Sequence, residues 1–148
     1  MSTAYEIAED LLGIVEQQAL QNGVSLPERK VIYTSPIPAD CEQVAVLLSG
    51  WQIPGDTGQL MNCIVAPWVA TLSVIITRCT PAMPKGNKGA APPEDAMKAA
   101  AEMASTDAEL FRDVMAALSP RPFQSPSIVI QSPVGGLQTV ELSLSLGE

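Results

Sequence analysis

Residues 42–49, EQVAVLLS, and residues 70–79, ATLSVIITRC, are the two β-type runs on which the fold turns. Folded back antiparallel, they place Val44 opposite Ile76, Val46 opposite Val74 and Leu48 opposite Leu72, with Glu42 meeting Arg78 at the end of the pair. That register gathers one continuous apolar stripe on one face, because side chains directly across an antiparallel pair share a side. The opposite face carries Cys41 with Cys79, Gln43 with Thr77, Ala45 with Ile75 and Leu47 with Ser73, and is only half apolar. A slip of two residues keeps these faces. A slip of one is excluded, since it moves the apolar set to the other side.

The bulk composition bounds what can be built around this pair. A chain of 148 residues suits a single domain over 1–148 with one core. Its 47% hydrophobic and 16% charged residues exclude a disordered chain, while 4% aromatic content leaves the core to Val, Ile, Leu, Ala and Met. The net charge of -8 opposes a phosphate backbone and argues against nonspecific nucleic-acid binding. With no histidine, the commonest general base and the commonest zinc ligand are both missing. Three cysteines and no signal-peptide pattern fit free thiols in a reducing compartment. The longest apolar stretch, residues 63–76, is broken by Pro67, Thr71 and Ser73 and falls short of the ~20 residues that span a bilayer. A soluble protein made in the cytoplasm, with no membrane partner, is expected.

Before the central pair, residues 3–22 read as an amphipathic helix on Ala4, Ala8, Leu11, Leu12, Val15 and Ala19, capped by Ser2 or Thr3 and stopped at Gly23. Residues 29–35 (RKVIYTS) read as a short strand ended by Pro36 and Pro38. Between the two runs, Pro54, Gly55, Asp56 and Gly58 mark a loop at 52–62; continuing the register to Ile53 and Pro67 shortens it to a projecting tip. Residues 80–93, with four prolines and two glycines, read as a surface loop.

Helical period returns over 93–118, where Met97, Ala100, Ala104, Phe111, Val114 and Leu118 fall on one face and Pro120 stops the helix. Ser105, Thr106 and Asp107 are weak helix formers and mark a place for a kink or break. Residues 127–131 (SIVIQ) read as a short strand. In the last strand, 138–146, Val140, Leu142, Leu144 and Leu146 alternate with Thr139, Glu141, Ser143 and Ser145. The expected fold is α+β: an antiparallel sheet of about four or five strands with two main helices, mainly on one face.

Chemistry is sparse. Cys41 sits between Asp40 and Glu42, whose charges push a thiol pKa upward, and no histidine is available to act as base. Cys41, Cys63 and Cys79 have no CxxC spacing, so no metal site is expected. Neither GxxxxGK[ST] nor GxGxxG occurs, and no nucleotide or other cofactor is expected. A small enzyme using Asp40 and Glu42 as paired carboxylates is the weaker alternative. The candidate contact residues are Trp51 and Trp68, which either anchor a protein interface or plug the end of the core, and Lys85 and Lys88, which either reach an acidic partner or keep their loop solvated. Glu42 with Arg78 is expected as a cross-strand pair supporting the hairpin.

The segment DCEQVAV at 40–46, followed by residues 70–81 ending in Thr77-Arg78-Cys79-Thr80-Pro81, resembles the tail terminators of long-tailed actinobacteriophages: "DCEQ" opens a central strand and "RCxP" closes its partner. The likeness runs on through the Pro-rich loop into the helix at 93–118. It implies a non-enzymatic virion protein, assembled in the bacterial cytoplasm. The implied form is a homo-oligomeric ring, a hexamer, that caps the tail tube and presents a surface to the head connector protein. Its partners are then itself, the tail tube protein and the connector, and genomic DNA passes through the lumen without specific binding. Part of the acid excess is expected to line that lumen, where like-charge repulsion keeps passing DNA from sticking. A connector or stopper of the phage neck is the alternative within the same class.

Overall fold

The two runs pair as their alternation requires. A computed structural model describes residues 3–35, 42–52, 68–79, 94–131 and 136–147. The elements follow as α1 (Ala4–Asn22), β1 (Arg29–Tyr33), β2 (Gln43–Gln52), β3 (Val69–Cys79), α2 (Glu94–Leu118), β4 (Phe123–Ile130) and β5 (Leu137–Leu146). The strands form one five-stranded sheet in the order β1-β2-β3-β5-β4. Val44 faces Ile76, Val46 faces Val74 and Leu48 faces Leu72. The α+β class holds, with both helices on one side of the sheet.

One pair departs from the expected all-antiparallel sheet: β1 lies parallel to β2, with Arg29 opposite Gln43 and Tyr33 opposite Leu47. Side-chain alternation is the same in both senses, so a strand's own sequence does not carry its direction. A parallel neighbour needs only enough chain to return to its starting end. Residues 34–42 supply it, since nine residues reach up to ~30 Å and a five-residue strand is ~17 Å long.

The core lies between the helices and one face of the sheet. Val44, Val46, Leu72, Val74, Ile76, Val140, Leu142, Leu144 and Leu146 meet Ile7, Leu11 and Val15 of α1 and Leu110, Phe111, Val114 and Leu118 of α2. At roughly 1.5–3 kcal/mol for each fully buried large aliphatic or aromatic side chain, this layer is the main favourable term in the fold.

Both helices are well terminated or internally held. Thr3 accepts from the backbone N–H of Glu6 while the Glu6 carboxylate accepts from the Thr3 N–H, a reciprocal cap. Gly23 closes α1 in the left-handed region at φ 69, where a side chain is strained. The expected kink at Ser105-Thr106-Asp107 does not occur; α2 runs unbroken from Glu94 to Leu118. Thr106 satisfies its hydroxyl by donating to the Glu102 carbonyl one turn back, 3.0 Å away, and Asp107 is held by an ion pair described below.

Three strand boundaries also differ. β2 begins at Gln43, because Glu42 has φ 57 and leaves the extended conformation. The register does not continue unchanged to Ile53 and Pro67: a bulge at Ser49 shifts it, so that Gly50 meets Thr71, Trp51 meets Ala70 and Gln52 meets Val69. Glycine suits that bulge, since a Cβ at position 50 would stand 3.1 Å from the Thr71 hydroxyl oxygen. Lastly, β4 starts at Phe123 rather than Ser127. Pro126 argues against a strand by sequence, but β4 is an outer strand, where proline is tolerated, and a register shift between Gln124 and Ser127 takes it out of the ladder.

Candidate interaction surfaces

Arg78 follows the period of Leu72, Val74 and Ile76 and so projects toward the helices. There its guanidinium binds both carboxylate oxygens of Asp107, at 2.8 and 3.0 Å, and donates to the Ser25 carbonyl at 2.9 Å. Asp107 is 2% exposed and the Arg78 side chain 12%. The expected cross-strand pair of Arg78 with Glu42 is therefore replaced by a strand-to-helix pair. Ending the strand before Glu42 takes that carboxylate out of register, and the fork geometry of arginine matches the buried carboxylate of α2. Breaking such a pair from one side leaves a charge poorly solvated. Arg78 thus ties β3, α2 and the segment after α1 together, which is a supporting role.

The bulge at Ser49 settles where the tryptophans stand. An unbroken register would put Trp51 on the side away from the helices; the shift pairs it with Ala70, on the helix side. Trp68 lies two positions before Ala70 and shares that side. The rings stack with centroids 5.8 Å apart and planes at 20°. They remain 37% and 38% exposed and sit outside the buried core. The stacked, partly exposed indole pair stands at the end of the β2–β3 pair.

The side of the sheet away from the helices carries Ala45, Leu47 and Ile75 together with a polar ladder on β3, β5 and the residue after β4. Ser73 and Ser143 hydroxyls are 3.2 Å apart, Thr71 and Ser145 3.4 Å, and Ser143 is 3.1 Å from a Glu141 oxygen. Gln131 donates to the other Glu141 oxygen at 3.3 Å, and Thr139 donates to Gln131 at 2.9 Å. Gln43 is buried on this side at 1% exposure, with Arg29 donating to its side-chain oxygen at 3.3 Å. A network with its hydroxyls matched internally needs little from a partner.

Exposed apolar side chains lie on α2, at Met97 and Met103, and at the sheet's margins. On β4, Val129 is 46% and Ile130 52% exposed. Beside β1, a groove against α1 is lined by Leu12, Gly13, Glu16, Leu20, Lys30 and Ile32. Near one end of it stands Tyr5, whose hydroxyl pKa is raised above the ordinary tyrosine value by its hydrogen bond to Glu9 and by that carboxylate's negative charge.

Cys79 is disulfide-bonded, against the expectation of free thiols. An odd count leaves one cysteine over but does not bar a pair among the rest. Cys41, Cys63, Asp40, Lys85 and Lys88 lie outside the described residues. Among the described residues, no group of three or more His, Cys, Asp or Glu side chains is placed to hold a metal ion, and no helix is long and apolar enough to cross a membrane.

Sequence reasoning missed Asp107, Val129, Ile130 and the α1–β1 groove. Asp107 looked like a weak helix former. The unalternating SIVI at 127–130 was the available signal for an outward-facing apolar edge. No family model matches the chain, and no curated protein sequence matches it either.

Proposed function

We propose that the chain is a structural virion protein, a tail terminator whose ring caps the phage tail tube, stops its growth and joins it to the head connector. The observation that carries this reading is the separation of unlike contact surfaces on one subunit. The exposed edge of β4, the groove beside β1 and the stacked Trp51–Trp68 pair lie at different places around a sheet whose central strands are buried under the helices. A subunit in a stack needs such surfaces: two unlike ones to meet ring neighbours, and another for the end of the tube. The DCEQ and RCxP motifs support the same reading. In it, the Trp pair faces the tube, and the acid excess repels DNA from the lumen.

The test is assembly of tail-tube protein with and without the purified chain, followed by electron microscopy of tube ends and lengths. Capping at one end with arrested growth is expected. Tubes of unchanged length with bare ends contradict the reading, and binding to filled heads but not to tails moves the chain to the connector.

A further inference from the structure

Both margins of the sheet are strands with one side unpaired among the described residues, β1 at one end of the order and β4 at the other. An unpaired edge is a template for another chain. The two edges differ in kind. β4 projects: Ile128 and Ile130 pair with Leu142 and Val140 and so point to the helix side, while Val129 pairs with Glu141 and points to the other. The first half of β4 is unfit for a further partner, because Ser125 is left-handed at φ 53 and Pro126 has no N–H to donate. Only the four residues 127–130 remain as an accepting edge, one fewer than the five residues of β1.

The β1 margin recedes. Between it and α1 runs the groove over Leu12, Gly13 and Ile32, bounded by Leu20, which is 83% exposed. Gly13 leaves the groove open, since nothing lies within 4 Å of where its Cβ would stand.

Building on the ring reading above, we propose that ring neighbours join by adding β4 of one copy to β1 of the next, continuing the sheet from subunit to subunit. Strand direction permits it. β1 is parallel to β2 and each of the other three pairs is antiparallel, so β4 runs opposite to β1, and copies side by side with helices on the same face meet antiparallel. Ile128 stays packed on its own core, while the pleat sends Ile130 of the incoming strand into the groove beside Ile32 and Leu12, and Val129 to the other side beside Val31.

Charge agrees with this occupant. Residues 123–130 carry no charge, so the incoming edge brings no carboxylate to a rim that already holds Glu9 and Glu16. Arg29 on β1 shares its side of the sheet with Glu141, two strand spacings of ~4.8 Å into the neighbour. Since the two edges are unlike, the contact is heterologous: it does not stop at a dimer, and it ends only by closing a ring.

The test uses two full-length variants altered at exposed positions, Gly13→Arg to fill the groove and Ile130→Lys to charge the edge. Circular dichroism checks their folding, and native mass spectrometry is run with the chain alone and with tail-tube protein present. Wild type assembles beyond a dimer, each variant alone stays at 15.6 kDa, and an equal mixture stops at a dimer, because each copy then keeps one intact edge. Variants that assemble like wild type overturn the edge contact while leaving the ring. Gly13→Arg dimers formed alone overturn it in favour of β4 meeting β4. Wild type that stays monomeric in both conditions overturns the edge contact and the ring together.

Discussion

On the helix side of the sheet, Val44, Val46, Leu72, Val74, Ile76, Val140, Leu142, Leu144 and Leu146 are at most 3% exposed; on the other side Thr71, Ser73, Ile75, Glu141, Ser143 and Ser145 are half-buried. The same strands carry both sets, and the pleat alone separates them. One side is stabilised by apolar burial against α1 and α2. The other is a ladder of hydroxyls closed on Glu141 and Gln131, where exposure is tolerated because hydrogen bonds are already made. Among the described residues, exposed large apolar side chains lie instead at the sheet's edges, in the Trp pair, and on the helices at Tyr5, Leu20, Met97 and Met103.

Substitutions on the two sides break or sharpen that contrast. Phe111→Ala removes a ring that is fully buried between α2 and the sheet, and is expected to destabilise the fold by about 3–5 kcal/mol in denaturant unfolding. A loss below ~1 kcal/mol would mean that the helix side is not the stabilising one. Asp107→Ala comes next, at about 3 kcal/mol, because it strands the Arg78 guanidinium at the same boundary; Asp107→Asn keeps an acceptor and is expected to lose less. Unfolding curves of both variants that coincide with wild type would dismiss the ion-pair argument.

Ser143→Ala acts on the other side, where it removes contacts to Ser73 and Glu141 and is expected to cost only ~0.5–1.5 kcal/mol. A loss as large as that of Phe111→Ala would erase the distinction between the faces. The smallest effect concerns Tyr5. Its raised pKa means that the folded chain favours the protonated phenol. The associated stability is present below pH 10.0 and is lost as pH rises through the folded-state value. Ultraviolet titration in a Tyr33→Phe background should show this shift in the native chain, and Glu9→Gln should reduce it.

How far the sequence reveals this molecule depends on which period carries the information. The Val44–Ile76, Val46–Val74 and Leu48–Leu72 pairs were legible because a one-residue slip would have exposed them. The burial of Val140, Leu142, Leu144 and Leu146 was legible for the same reason. The parallel sense of β1 was not, since alternation is blind to direction. Nor was the bulge at Ser49, and with it the stacking of Trp51 on Trp68, because one extra residue reverses a face without changing composition. Arg78 was singled out correctly and matched to the wrong carboxylate: Asp107 lies on a helix, and no strand period points to it.

The central claim is that this chain works by assembling with copies of itself at the end of a tube. The most direct measurement is the native mass of the purified chain, alone and after mixing with tail-tube protein. The account predicts a closed ring of 15.6 kDa subunits, present from the start or formed on the tube end. A chain that stays monomeric at high concentration and ignores tubes would contradict it.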